Sequence, residues 1–233
     1  MADIPNSIVI LTGAGISAES GIDTFRSAGG LWEQHKVEDV ATPEGFARDP
    51  EKVHAFYNAR RKNAASAKPN AAHHALARLQ EQHSGDVIIV TQNVDSLHEA
   101  AGATAIHMHG RLDRALCADC GHDWDAPPLM LATDQCPNCR QQSTRPDIVW
   151  FGEVPKALMQ IADHLETADV FAAIGTSGQV YPAAGFVSEA ATSGARTMEL
   201  NLETSDISSL FDERISGPAT TVVPAWVASI LGS

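Results

Sequence analysis

A chain of 233 residues, 44% of them hydrophobic, is long enough to bury a sizeable core as one domain with insertions or as two domains. Its 29 acidic against 16 basic residues give a formal charge of −13, which argues against a nucleic-acid partner, because that binding needs surplus Lys and Arg to displace counterions from phosphates. The opening MADIPNSIVIL lacks a basic n-region and its apolar run is four residues long, so neither a signal peptide nor a membrane span is expected, and a cytosolic monomer is.

In chain order, SIVIL at 7–11 reads as a buried parallel strand and 15–20 as a helix. Residues 25–76 carry only helical and turn signals, with Pro43 and Pro50 as first-turn prolines and a helix near 51–64. DVIIVT at 86–91 is the next strand, followed by a helix at 94–100. Residues 110–147 are punctuated by Pro and Cys and show no long periodic element. Beyond them come a helix at 156–167, a strand at 169–174, a helix at 182–192, a strand at 196–200, a weaker strand at 220–223 and a helix at 224–231. This alternation predicts an α/β fold with a Rossmann-like, doubly wound parallel sheet, from which 25–76 and 110–147 stand out as insertions that pack together over one edge.

Charge is uneven. Residues 26–68 hold 8 of the Lys and Arg against 6 acids, and within this island, in HAFYNARRKN, Tyr57 and Arg60 lie one helical turn apart. The ordinary reading is a solvated helix face, with Arg61 and Lys62 turned to water.

The stretch SIVILTGAGISAESG is a strand, then Gly13-x-Gly15-x-x-Ala18, then a helix start, an order that suits a dinucleotide pyrophosphate. A hydride-transferring dehydrogenase would also need a second strand ending in an acid about 20 residues on, and none follows. Asn201 and Glu203 end a later strand, and Gly175-Thr176-Ser177 follows another, so both could meet a nucleotide where strands end, or could be plain βα loops.

Cys117-x-x-Cys120 and Cys136-x-x-Cys139, fifteen residues apart, have the spacing of a four-thiolate zinc ribbon, with paired redox dithiols as the alternative. Four thiolates leave a tetrahedral zinc no open position, so the metal would be structural and a zinc-hydrolase mechanism is disfavoured.

Two polar clusters follow strand ends, Thr91-Gln92-Asn93-Val94-Asp95 and His107-Met108-His109-Gly110. At these residues the sequence resembles the sirtuins, the NAD-dependent protein lysine deacylases: GAGISAESGI..FR, TQNVDSLHEAAG, HMHG, the CxxC pairs, RPDIVWFGE, GTSGQVYPAAG and NLE occur in the family's order across nearly the whole chain. The resemblance implies a Rossmann-like NAD-binding domain (1–24, 77–109 and 148–233) and a small domain made of a helical module (25–76) and a zinc module (110–147). It implies that Gly13, Ala14, Gly15, Ile16, Ser17, Ala18, Thr24, Phe25, Arg26 and Trp32 line the NAD cleft. Gln92, Asn93, Val94 and Asp95 would surround the nicotinamide ribose, and Gly175, Thr176, Ser177, Asn201, Leu202, Glu203 and Ala219 the adenosine half. His109 matches the catalytic histidine, with Asn93 and Asp95 beside it, acting as general base on a ribose hydroxyl and leading to free lysine, nicotinamide and O-acyl-ADP-ribose. Val149, Phe151, Gly152 and Glu153 match the strip where an acyl-lysine peptide adds a β-strand. GIDTFR, where many members have Pro-Asp before the Phe, matches the class III subgroup that removes acidic acyl groups. In that subgroup a Tyr-x-x-Arg reads the acyl carboxylate, the role expected of Tyr57 and Arg60. The expected partners are acylated lysines in proteins or peptides, with no nucleic acid or membrane. A mono-ADP-ribosyltransferase on the same NAD site is the alternative activity.

Overall fold

The structure, a computed structural model, describes residues 5–22 and 35–232, so Thr24, Phe25, Arg26 and Trp32 lie outside the described residues. The strands are β1 (Ser7–Thr12), β2 (Asp86–Thr91), β3 (Ala105–His107), β4 (Gly110–Cys117), β5 (Asp123–Asp125), β6 (Thr144–Ile148), β7 (Val170–Ile174), β8 (Arg196–Asn201) and β9 (Glu213–Ser216). The helices are α1 (Ala14–Ala18), α2 (Val37–Val40), α3 (Pro43–Arg48), α4 (Pro50–Ser66), α5 (Ala71–Gln82), α6 (Leu97–Ala100), α7 (Leu158–Glu166), α8 (Phe186–Thr192) and α9 (Ala219–Leu231). Among the described residues, no helix is long and apolar enough to cross a membrane.

Six strands form a parallel sheet in the order β3-β2-β1-β7-β8-β9. The chain winds outward from β1 to one side and then, from β7, to the other. The β1 and β7 carboxyl ends therefore flank the topological switch point, where loops diverge and leave a crevice. Period-two alternation sends Ile8 and Ile10 of β1 to the face covered by α5 and α9, against Leu76, Leu79, Val223 and Val227. Val9 and Leu11 point to the opposite face, against Ile161, Leu165, Phe186 and Val187.

The two insertions meet as expected. Phe56 and Tyr57 of α4 pack with Leu112, Ile148 and Trp150 from the second insertion and its exit. Pro43 and Pro50 do start helices, with the Thr42 and Asp49 side chains accepting from Gly45 N–H and Lys52 N–H at 3.0 Å each. The 110–147 segment holds more order than its sequence suggests, a three-stranded antiparallel sheet β5-β4-β6.

Three expectations change. Residues 220–223, read as a strand from their β-branched run, form the first turns of α9, because Val223, Trp226 and Val227 recur at helical spacing and are buried. The last strand is instead the short, charged edge β9, whose pattern carries no apolar alternation. The boundary placed at 76 falls inside α5, whose Ala72, Ala75, Leu76 and Leu79 belong to the core of the large sheet. Arg61, expected in water, is 8% exposed: its Nε donates to Leu112 O at 2.7 Å and its Nη1 to Asn58 Oδ1 at 2.7 Å, tying α4 to β4. Lys62 is exposed.

Candidate active site

The glycine loop closes the switch point. Gly13 N–H donates to Ile174 O at 3.0 Å and Gly15 N–H to Gly175 O at 2.9 Å, so the loops after β1 and β7 interlock. Gly175 has φ +63°, and a Cβ there would lie 2.5 Å from Ile16 N; one on Gly15 would lie 2.7 Å from Gly175 Cα. Only glycines permit this approach. Helix α1 then turns only once, placing Ile16 and Ser17 in the interior and leaving Ala18 outside.

Behind this loop the TQNVD segment builds a buried polar network. The Asn93 amide donates to Gly13 O at 3.0 Å and to Ser17 Oγ at 3.1 Å, while Ser17 Oγ–H donates to Asp95 Oδ2 at 3.1 Å. Asp95 Oδ1 accepts Leu97 N–H at 3.1 Å, closing a local turn. Burial pushes the Asp95 carboxyl above its ordinary range against these two donors. Thr91 Oγ1 accepts from Asn93 N–H at 3.0 Å and from Thr12 Oγ1–H at 2.9 Å, and Thr12 Oγ1 in turn meets His98 Nε2 at 3.0 Å. Val94 holds β4 through its carbonyl, which accepts Leu112 N–H at 2.8 Å.

His109 sits where two segments meet. Its Nδ1 lies 3.1 Å from Gln92 O, and because a carbonyl only accepts, Nδ1 carries the hydrogen and Nε2 keeps its lone pair in the neutral ring. Burial holds its pKa below 6.5, partly opposed by that bond, so the ring is the basic, neutral form at neutral pH. Its own carbonyl accepts Val149 N–H at 2.9 Å. One residue therefore touches the loop after β2 with its side chain and the 149–153 strip with its backbone.

In that strip Phe151 is 49% exposed and Gly152 adopts φ +91°, with Phe151 N–H donating to Ala41 O at 3.0 Å. Glu153, expected to face a substrate, turns inward instead: it takes two bonds from Arg145, at 2.6 and 2.9 Å, and one from Trp150 N–H at 2.8 Å. Its carboxylate shapes the turn. Trp150 lies under the Arg145 guanidinium at 3.5 Å from Cζ to ring centroid. The indole Nε1–H of Trp150 donates to the Tyr57 hydroxyl at 3.0 Å. Tyr57 thus keeps its own hydroxyl hydrogen, and burial pushes its pKa above 10.0. The Arg60 guanidinium lies 5.6 Å from the Tyr57 ring centroid. Burial lowers its pKa from 12.5, with Tyr57 and Asp95 the groups that favour its charge. The pair expected from helical spacing does converge, and it does so beside the strip.

At the far end of the crevice the Asn201 amide donates to Thr176 O at 2.7 Å, joining the loops after β7 and β8. Ser177 Oγ accepts Gln179 N–H at 3.3 Å. Leu202 is 66% exposed, Glu203 is exposed, and Ala219 opens α9. These residues line one rim.

The four cysteine sulfurs lie within 4.8 Å of one another, with Cys117–Cys139 at 3.6 Å and Cys120–Cys136 at 3.7 Å. A tetrahedron of Zn–S bonds near 2.3 Å has edges of about 3.8 Å, so the donor set fits zinc. Each CxxC turn closes the same way, Gly121 N–H to Cys117 O and Arg140 N–H to Cys136 O at 3.0 Å, with Gly121 and Arg140 at φ +70° and +66°. The knuckles are equivalent, as a shared ion requires, and cap one end of the small sheet.

Sequence reasoning did not find Trp150 as the brace of Tyr57, nor His98, His107 and Glu99 behind the TQNVD loop. The only signal was their place in motifs read for other residues.

The Sir2 family model matches residues 13–182. An NAD-dependent protein deacylase of Shigella flexneri is 55% identical over 228 residues, 96% of this chain and 84% of that protein. One of Caulobacter vibrioides is 52% identical over 229 residues, covering 96% of each chain. A solved Sir2 homologue in complex with NAD superposes with a TM-score of 0.90 at 36% identity, over 97% of this chain and 90% of that one. With a family model matched over most of its length, more than half of its residues shared with curated relatives and the same fold as a solved homologue, this chain belongs to the Sir2 family.

Proposed function

We propose that this protein is an NAD-dependent protein-lysine deacylase that prefers succinyl and malonyl groups. The single observation that carries the deacylase reading is His109, whose ring bonds the loop of the NAD cleft and whose carbonyl bonds the strip proposed for the acyl-lysine peptide. Curated relatives at 52–55% identity are named NAD-dependent protein deacylases, which favours this activity over ADP-ribosyl transfer to protein.

When bound, NAD supplies an electrophilic ribose carbon once nicotinamide leaves. The protein's part is orientation and proton transfer. Gly13, Gly15 and Gly175 let the crevice floor approach a pyrophosphate, and Asn201 and Thr176 set the adenosine rim. Asn93 and Asp95 are held in place by hydrogen bonds to Ser17, which orients them for a transition state. His109 Nε2, neutral by burial, accepts a proton from a ribose hydroxyl. The zinc quartet holds the small sheet and takes no part in the chemistry.

The acyl preference rests on Tyr57 and Arg60. The Arg60 guanidinium lies 5.6 Å from the Tyr57 ring centroid, so a terminal acyl carboxylate placed there would meet a bidentate cation with the Tyr57 hydroxyl as second donor. Arg60→Met, assayed on matched peptides, is expected to lower kcat/KM for succinyl-lysine roughly ten- to hundredfold while sparing acetyl-lysine. Equal losses on both peptides would refute the carboxylate reading.

A further inference from the structure

Two histidines two residues apart grip consecutive carbonyls of the loop after β2. His109 Nδ1 meets Gln92 O and His107 Nδ1 meets Asn93 O, each at 3.1 Å. They differ at the other ring nitrogen. His107 Nε2 lies 2.8 Å from Glu99 Oε1 on α6, and the His107 side chain is only 6% exposed. A backbone carbonyl and an ionised carboxylate both only accept hydrogen bonds. A neutral imidazole has one N–H, so it would set lone pair against lone pair at one of the two ends; the doubly protonated ring satisfies both.

The surroundings favour that state. Burial works against the Glu99 charge, yet the hydrogen bond and charge of His107 hold its carboxyl below the usual range. Asp95, raised by burial, and Asp113 on β4 also face the ring. Arg111 is the opposing cation, but it is engaged by Asp113 at 2.7 Å. His98, on the same helix as Glu99, is pushed by burial down to about 4 and is neutral.

We infer that His107 is a positioning residue that works as an imidazolium, clamping the Asn93 carbonyl to Glu99 so that Asn93 and Asp95 face the cofactor crevice in a fixed pose. Nothing in the chemistry needs it to touch a substrate.

The kinetic arm of the test rests on the deacylase reading; the spectroscopic arm does not. In protein labelled with 15N-histidine, the His107 signals, assigned by their loss in His107→Gln, are expected to report both ring nitrogens protonated at neutral pH. One bare nitrogen there overturns the inference. In kinetics, Glu99→Gln, which keeps an acceptor but removes the charge, should lower kcat/KM for NAD while KM for the acyl peptide is kept. His107→Gln should lower kcat/KM for NAD about ten- to hundredfold, with KM for the acyl peptide kept. Unchanged kcat/KM for NAD in both variants, with both folded and turning over, overturns the inference. Absence of turnover on every acyl peptide would sink the deacylase reading and leave the labelled spectra to decide the clamp.

Discussion

Tyr57→Phe isolates a hydroxyl with two separable duties. Its oxygen accepts the Trp150 indole N–H at 3.0 Å, in a side chain 1% exposed, so the variant leaves a buried donor unpaired. An orphaned buried polar group costs about 1–3 kcal/mol. At this chain length 1 kcal/mol lowers Tm by about 2–4 °C, so a loss near 2 kcal/mol corresponds to roughly 4–8 °C by calorimetry. The second duty is donation of the hydroxyl hydrogen, retained because burial raises the Tyr57 pKa. Losing that bond to an acyl carboxylate removes about 1.5–3 kcal/mol, or roughly ten- to hundredfold in kcat/KM on succinyl-lysine, with acetyl-lysine little changed. The two effects are read in different assays on one protein. A double variant with Trp150→Phe removes both partners of the bond, so its Tm loss should fall short of the sum of the singles. An unchanged succinyl-to-acetyl ratio would end the case for Tyr57 as an acyl donor, and strictly additive Tm losses would end the case for the Trp150 bond.

Three further outcomes are expected. Cys136→Ser should abolish stoichiometric zinc, measured by emission spectrometry at one ion per wild-type chain, and melt the small sheet by near-ultraviolet dichroism. Gly175→Ala must hold a side chain at φ +63° with Cβ 2.5 Å from Ile16 N, and should weaken NAD at least tenfold by calorimetric titration. Burial drives His73 to about 3 and His98 to about 4, so the unfolded chain takes up protons that the folded one refuses. Stability is therefore full above the unfolded value of about 6.5 and falls with pH from there toward 4, by up to about 1.4 kcal/mol per pH unit for each ring. Urea midpoints across pH 4–7 that stay level would contradict this.

The large sheet was legible because parallel strands buried on both faces read as continuous apolar runs, SIVIL and DVIIV among them. The small sheet was not, because Arg111, Asp113 and Arg114 interrupt the apolar pattern of β4 and the fold there leans on cysteine ligation. Helical spacing alone brought Tyr57 and Arg60 together, but nothing local announces that Trp150, 93 positions on, would hold Tyr57. Arg61 failed for a related reason: a guanidinium looks solvent-bound until the carbonyl it satisfies, 51 positions away, is known. The cysteines were readable because zinc ligation fixes their spacing within short motifs, whereas His109 was singled out only through the resemblance to the sirtuins and the glycine loop was a weak signal without it. The bonds that align those motifs with one another run between distant segments and leave no periodic trace.

Strands β4 and β6 pair antiparallel from Cys117 opposite Thr144 to Gly110 opposite Ile148, with the His109 to Val149 bond just past the last rung. The cysteine quartet and His109, the proposed general base, thus stand at opposite ends of one two-stranded ribbon, about 25 Å apart at strand rise. On the proposed role of His109, damage to the sulfurs would reach the imidazole by unzipping this ribbon, so an oxidant too bulky to enter the crevice is expected to lower turnover from outside it.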